Sequence, residues 1–161
     1  MKKALLLLSI IFLLTGCKET INTYDADMIC RMNYEAEVDG YTSESESVIY
    51  INYDKGKNIT KAIYQSIGNL SEYNDYLLNS LDSIVDIYNK LDGINSNKYI
   101  VDDKVVMEIE YDYFKIDLAQ FREELGDLID DESILASIDD LPIKLSEFKR
   151  HELEGYDCEV K

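Results

Sequence analysis

Basic residues are scarce in this chain. It has 16 Lys and Arg against 33 Asp and Glu, which gives a formal net charge of −17 over 161 residues. Proteins that bind nucleic acid neutralise phosphates with clustered Lys and Arg. This sequence has no basic stripe of that kind, which argues against nucleic acid as a partner. Two interpretations of the acidity stay open, a cationic partner and colloidal solubility of the folded domain.

Residues typical of catalytic sites are also few. The chain has one His, three Cys and no Trp. His151 lies in a short polar helical segment and is expected to be a solvated surface residue. Nucleophile-elbow, phosphate-loop, zinc-protease and dinucleotide motifs are missing, and a domain without Trp makes a poor sugar cleft. We expect no catalytic, cofactor-binding or metal-ligating residues, and a protein that is not an enzyme.

The many carboxylates leave one alternative, a Ca²⁺ site or a carboxylate-based enzyme. Ca²⁺ takes about six to eight oxygen ligands. The groups that could supply them are Asp102 with Asp103, Asp130 with Asp131 and Glu132, Asp139 with Asp140, and Glu108 with Glu110 and Asp112. None has the spacing of a calcium-binding loop. With 33 acids in 161 residues, such groups arise by chance.

Long apolar runs are missing too. The longest covers residues 4–14, eleven positions. A membrane-spanning helix needs about 20 residues, whereas the apolar part of a signal peptide has about 7–15. The run follows two lysines and ends in Leu14-Thr15-Gly16-Cys17. That order resembles the lipobox of bacterial lipoproteins. The resemblance implies acylation of the Cys17 sulfur, with palmitate among the chains, and cleavage between Gly16 and Cys17.

The signal interpretation divides the chain into three parts. Residues 1–16 are a cleaved signal peptide, 17–27 the lipidated cysteine and a tether, and 28–161 a single domain. Cleavage removes Lys2 and Lys3 and no acid, so the formal charge goes from −17 to −19. Such a domain is repelled by anionic head groups, while two acyl chains anchor stably. We expect a protein held at the cell membrane, on its extracytoplasmic face, by lipid on Cys17. The alternative is an ordinary secretory signal in which Cys17 is incidental.

Lipidation of Cys17 leaves two cysteines, Cys30 and Cys158. Extracytoplasmic compartments permit disulfides, and an isolated pair there is more often bridged than reactive. We therefore predict a Cys30–Cys158 disulfide. A redox or metal-binding pair is the alternative, but a Cys-x-x-Cys motif and a second histidine are both missing.

Hydrophobic periodicity predicts an α+β fold. We expect an antiparallel sheet of about five to six strands packed against one long amphipathic helix, with short C-terminal helices. The predicted strands are 28–38, 41–53, 58–68, 98–101, 104–115 and 157–160. The spacing of Ile59, Ile63 and Ile67 leaves a helix open as the alternative for 58–68. The predicted helices are 71–91, capped by Ser71, and 117–125, 130–137 and 145–155. In strand 104–115 alternate residues are expected to face the core, with Glu108, Glu110 and Asp112 in water.

The order of these elements resembles small bacterial lipoproteins of the YehR-like family. The matching pieces are the lipobox, the hairpin around Asp54-Lys55-Gly56-Lys57, and the tail from Leu145-Ser146-Glu147-Phe148-Lys149 to Gly155-Tyr156. The resemblance implies an α+β fold and no catalytic residues. The pair Cys30 and Cys158 would mark a subgroup.

Two functions are compatible with these features. One is a non-enzymatic, membrane-anchored module that binds an unknown envelope protein or small ligand. The other is a small ligand-binding protein associated with a transporter. A deep pocket between the sheet and helix 71–91 would favour the second, and a filled core there would count against it.

Overall fold

Six strands form one antiparallel sheet in the computed structural model, which describes residues 20–38, 41–125 and 141–161. The spatial order is β4-β5-β3-β2-β1-β6. The strands are β1 Met28–Val38, β2 Tyr41–Tyr53, β3 Ile59–Asn69, β4 Ile94–Val101, β5 Lys104–Asp112 and β6 Asp157–Val160. The predicted α+β class and sheet size are confirmed.

The hairpin of β1 and β2 has the predicted bounds. In β2 the side chain of Glu44 is exposed, and the side chains from Val48 to Ile51 are buried. The following turn departs from the prediction at one residue. The left-handed conformation belongs to Lys57 (φ 60°), while Gly56 is not in it. Asp54 accepts hydrogen bonds from the backbone and side chain of Asn58, and these bonds close the turn without a left-handed glycine.

The described residues contain three α-helices: α1 Asp75–Tyr88, α2 Leu118–Leu125 and α3 Leu145–Glu152. The helix predicted over 71–91 is shorter than expected because residues 70–72 form a 3₁₀ turn. Asn74, and not Ser71, caps α1, since its side chain accepts the Leu77 N–H at 2.9 Å. An Asn side chain that accepts this bond satisfies one of the free donors at a helix start.

The helix α1 covers the sheet only in part. It has no fully buried residue, and Tyr76 is 76% exposed. Lys98 of β4 holds it through Asp82 at 2.6 Å and the Leu78 carbonyl at 3.0 Å. The expectation of a sheet packed against one long helix is therefore not confirmed. Three shorter helices share that face.

The main core lies between the helices and one face of the sheet. Tyr113 and Phe148 pack edge to face there, with ring centroids 6.4 Å apart. Gly93 (φ +79°) turns the chain from α1 towards β4. A Cβ at this position would stand 2.5 Å from the Ile116 nitrogen, so only glycine fits. The buried members are Met28, Cys30, Ile49, Ile51, Ile59, Ala62, Leu91, Ile94, Tyr113, Phe121, Leu125, Ile143, Phe148 and Leu153.

The opposite face of the sheet carries a second, smaller core. It consists of Ala26, Val48, Tyr50, Ile63, Ile67 and Val106, with Ile21, Tyr24, Ile29 and Tyr99 packed against it. Three of these residues come from the segment 21–27, which we call the N-terminal strap. The strap is the second half of the expected tether, and it lies on the sheet.

The strap changes the environment of β5. Val106, Glu108 and Glu110 share the face that was expected to lie in water. Glu108 is only 6% exposed. The prediction was wrong at this residue, because alternation shows which side chains share a face and does not show whether another segment covers them.

The predicted disulfide is present. Cys30 and Cys158 are direct cross-strand neighbours in β1 and β6, with an S–S distance of 2.11 Å. Cys30 belongs to the main core. The bond therefore ties the C-terminal strand to the sheet across a sequence separation of 128 residues.

Removing this disulfide should destabilise the domain. We expect Cys30→Ser/Cys158→Ser to lose about 2–5 kcal/mol of unfolding free energy, because the unfolded chain regains a long loop. Urea unfolding measures the loss. Reduced wild-type protein is the matched control and should unfold like the variant. A loss below about 1 kcal/mol would contradict a stabilising role.

Candidate functional site

The residues expected to carry the anchor lie outside the described part of the chain. These are Gly16, Cys17 and the preceding signal segment. The acidic groups around residues 130 and 139 also lie outside it. His151 is exposed, as predicted. Within residues 20–38, 41–125 and 141–161, no helix is long and apolar enough to cross a bilayer. The same residues place no three His, Cys, Asp or Glu side chains together as a metal site.

A buried carboxylate is the most unusual group of the described chain. Glu108 lies on β5 beneath the N-terminal strap, and all the donors described around it are neutral. Its Oε1 accepts hydrogen bonds from the Gln65 side-chain amide at 2.7 Å and from the Tyr99 hydroxyl at 2.8 Å. Its Oε2 accepts from the Tyr24 hydroxyl at 2.9 Å. The Asn22 amide lies 3.3 and 3.4 Å from the two oxygens. Such bonds make burial of a charged group tolerable.

Two sheet residues connect the carboxylate to the strap backbone. The Gln65 amide donates to the Asn22 carbonyl at 2.8 Å as well as to Glu108. The Tyr99 hydroxyl accepts the Asn22 N–H at 3.1 Å and donates its own proton to Glu108. Gln65 is 1% exposed, and its Oε1 has no partner among the described residues. Asn22 is therefore held through both its backbone and its side chain.

The tyrosines at this site stay protonated well above neutral pH. Burial, followed by the hydrogen bond to Glu108, raises the pKa of Tyr24 to about 12. Burial also raises the pKa of Tyr99. Both hydroxyls can therefore donate to the carboxylate throughout the physiological range. The Tyr24 ring also meets Tyr50 of β2 edge to face, with centroids 5.4 Å apart.

The other end of the strap is bonded through its backbone. The Asp27 N–H donates to the Ile51 carbonyl at 3.0 Å. The Asp27 carbonyl accepts the Lys161 N–H, also at 3.0 Å. The Lys161 ammonium contacts Asp25 at 3.1 Å. The chain's C-terminal end therefore fixes this part of the strap, through the same strand that the disulfide secures.

An acidic groove of about 630 Å³ begins where the strap begins. Ile21 and Ile67 contribute apolar surface, and the charged lining residues are Glu35, Glu44, Glu46 and Lys104. Glu35 in β1 lies directly opposite Glu44 in β2. Two like charges at directly opposite positions repel each other and destabilise the pairing of the strands. Arg31 pairs with Glu46 at 3.3 Å. A smaller concavity of about 300 Å³ lies beside Glu108 and Glu110.

The strap and its carboxylate were missed from sequence. Residues 21–27 have no clear period, so they resembled a linker. The available signal was Gln65, a polar residue between Ile63 and Ile67 on that face of β3, together with Glu108 in β5. Their pairing in β3 and β5 places them side by side.

No protein-family model and no curated protein sequence matches this chain. Among solved structures, an NMR structure of a protein from Streptococcus pneumoniae TIGR4 is similar, with a TM-score of 0.50 and 12% sequence identity. The match covers 90% of this chain and 93% of that chain. At this identity the similarity concerns the fold alone, and it agrees with the α+β architecture.

The ionisation of Tyr24 tests the geometry around Glu108. We expect ¹³C NMR of the tyrosine ring to give a pKa of about 12. Glu108→Gln should lower that pKa yet leave it above 10.0, because burial is the larger cause. The raised pKa stabilises the fold fully below pH 10, and this contribution is lost as the pH rises towards 12. Ionisation of Tyr24 near pH 10 in the wild type would contradict the site.

Proposed function

We propose that this protein is a membrane-anchored, extracytoplasmic lipoprotein with a non-enzymatic binding function, similar in kind to YehR-like lipoproteins. The observation that carries the proposal is the order Leu14-Thr15-Gly16-Cys17 after a short apolar run. The short distance in sequence between Cys17 and the folded domain also supports the proposal. Within the described residues, the first that packs on the sheet is Ile21, four positions after the cysteine.

That spacing places the domain close to the bilayer in this proposal. Four residue steps of extended chain span at most about 14 Å. The first packed residue, Ile21, also lines the acidic groove. Lipid on Cys17 would therefore hold the rim of the groove near the membrane surface.

The groove is the interaction surface that we favour. Arg31 pairs with Glu46, whereas Glu35 and Glu44 repel each other in a groove whose lining cation is Lys104. A cationic segment of an envelope protein would relieve that repulsion and neutralise the carboxylates that line the groove. We therefore propose a partner that presents Lys or Arg side chains close to the membrane.

The transporter-associated alternative has less support. It expects a deep pocket between the sheet and the helix region 71–91. On that side Ile87, Tyr88 and Leu91 pack into the main core with Ile94. This packing weighs against a large ligand cavity there.

The anchor is tested by Cys17→Ala. We expect the variant to appear in the soluble fraction, to lose incorporation of labelled palmitate and to keep its fold, because Cys17 contributes only the lipid. Cys158→Ala is the matched control, which should stay membrane-bound. Retention of the Cys17→Ala variant in the membrane would contradict the lipoprotein proposal.

The groove is tested with cationic peptides. Tetralysine should shift the NMR signals of β1 and β2 around Glu35 and Glu44, whereas tetraglutamate should not. Glu35→Gln/Glu44→Gln should weaken the tetralysine affinity about threefold to tenfold, since exposed charge pairs contribute modestly. The exposed Glu154→Gln is the matched control with unchanged affinity. Equal affinity in the double variant would contradict this surface.

A further inference from the structure

The N-terminal strap is attached unequally at its two ends. At the Asp27 end, backbone hydrogen bonds join it to β2 and to the C-terminal residue. At the Asn22 end, side-chain bonds converge on Glu108, Gln65 and Tyr99. Backbone hydrogen bonds join the first end to the sheet. At the second end, the two side chains that bond the Asn22 backbone, Gln65 and Tyr99, both donate to the Glu108 carboxylate.

The strap buries little surface of its own. Ala26 is its only described residue that is fully buried, while Ile21 and Tyr24 are half-buried and Asn22 is exposed. Segments with few buried apolar contacts open at low free energy. Hydrogen bonds to a charged group are stronger than neutral ones. The bonds to Glu108 therefore decide whether the Asn22 end stays docked.

We propose that Glu108 is a latch that holds the N-terminal strap on the sheet and thereby sets the distance of the domain from the bilayer. This inference rests on the proposed lipidation of Cys17. With the strap docked, the chain between Cys17 and Ile21 spans at most about 14 Å. With the Asn22 end released and Asp27 still bonded to Ile51, the span from Cys17 to Asp27 rises to at most about 35 Å.

The latch also couples the membrane distance to the acidic groove. Ile21 belongs to the strap and lines the groove. A partner that contacts Ile21 binds the docked and released forms differently, and so shifts the equilibrium between them. Glu108 acts here as a positioning residue, since it does not line that groove.

Hydrogen exchange on the full lipidated chain tests the latch itself. The amide of Asn22 should exchange about tenfold to a hundredfold faster in Glu108→Gln, the loss expected for a bond to a charged acceptor. The Asp27 amide, bonded to Ile51, should change less. Glu154→Gln is the control of equal charge change. Should Glu108→Gln fail to fold, Tyr24→Phe removes one latch bond from the strap side and should speed Asn22 exchange.

Neutron reflectometry then tests the consequence at the membrane. The full chain is placed on supported bilayers of phosphatidylethanolamine with phosphatidylglycerol. Wild-type protein should leave a water gap within about 14 Å, and Glu108→Gln a broader layer that extends towards about 35 Å. Identical layers and identical Asn22 exchange in both proteins would overturn the latch. Failure of wild-type protein to remain on the bilayer would instead overturn the lipid anchor, while the exchange result would still decide whether Glu108 holds the strap.

Discussion

The buried Glu108 carboxylate joins the N-terminal strap to the sheet through its hydrogen bonds. A sheet with apolar residues on both faces needs a cover on each, and the three described helices cover one of them. The N-terminal strap covers the other, over Val48, Tyr50 and Val106. Tyr24 and Asn22 of the strap donate to the Glu108 carboxylate, and so do two sheet side chains that also bond the strap backbone. These two sheet residues are Gln65 and Tyr99. Removing those donors would leave a buried charge without compensation.

The N-terminal strap and the C-terminal residues meet on this scaffold. The disulfide fixes β6 to β1, and Lys161 at the end of the chain bonds the strap at Asp25 and Asp27. The N-terminal strap is consequently held by contacts from β2, from Lys161 directly after β6, and from side chains of β3, β4 and β5. If Cys17 carries lipid, the mechanical link from bilayer to domain passes through these contacts. This link is the physical basis of the proposed membrane function.

Sequence periodicity predicted the strands of the sheet well, but it did not predict which segments pack on the two faces of the sheet. Alternation predicted β2 to the residue, because its period-two pattern is long, and the predicted bounds of β1 and β6 also agree with the structure. Helix 71–91 was too long since Ser71 and Asn74 are both good caps, and only tertiary contacts choose between them. Glu108 was expected in water because its cover is formed by residues more than 80 positions away. Such a contact leaves no local pattern.

The contact of the strap with the sheet is the central claim, and a nuclear Overhauser experiment measures it directly. The structure predicts cross-peaks between the ring protons of Tyr24 and Tyr50, whose centroids are 5.4 Å apart. Their absence, with unstructured chemical shifts for residues 21–27 and an intact sheet, would contradict the account.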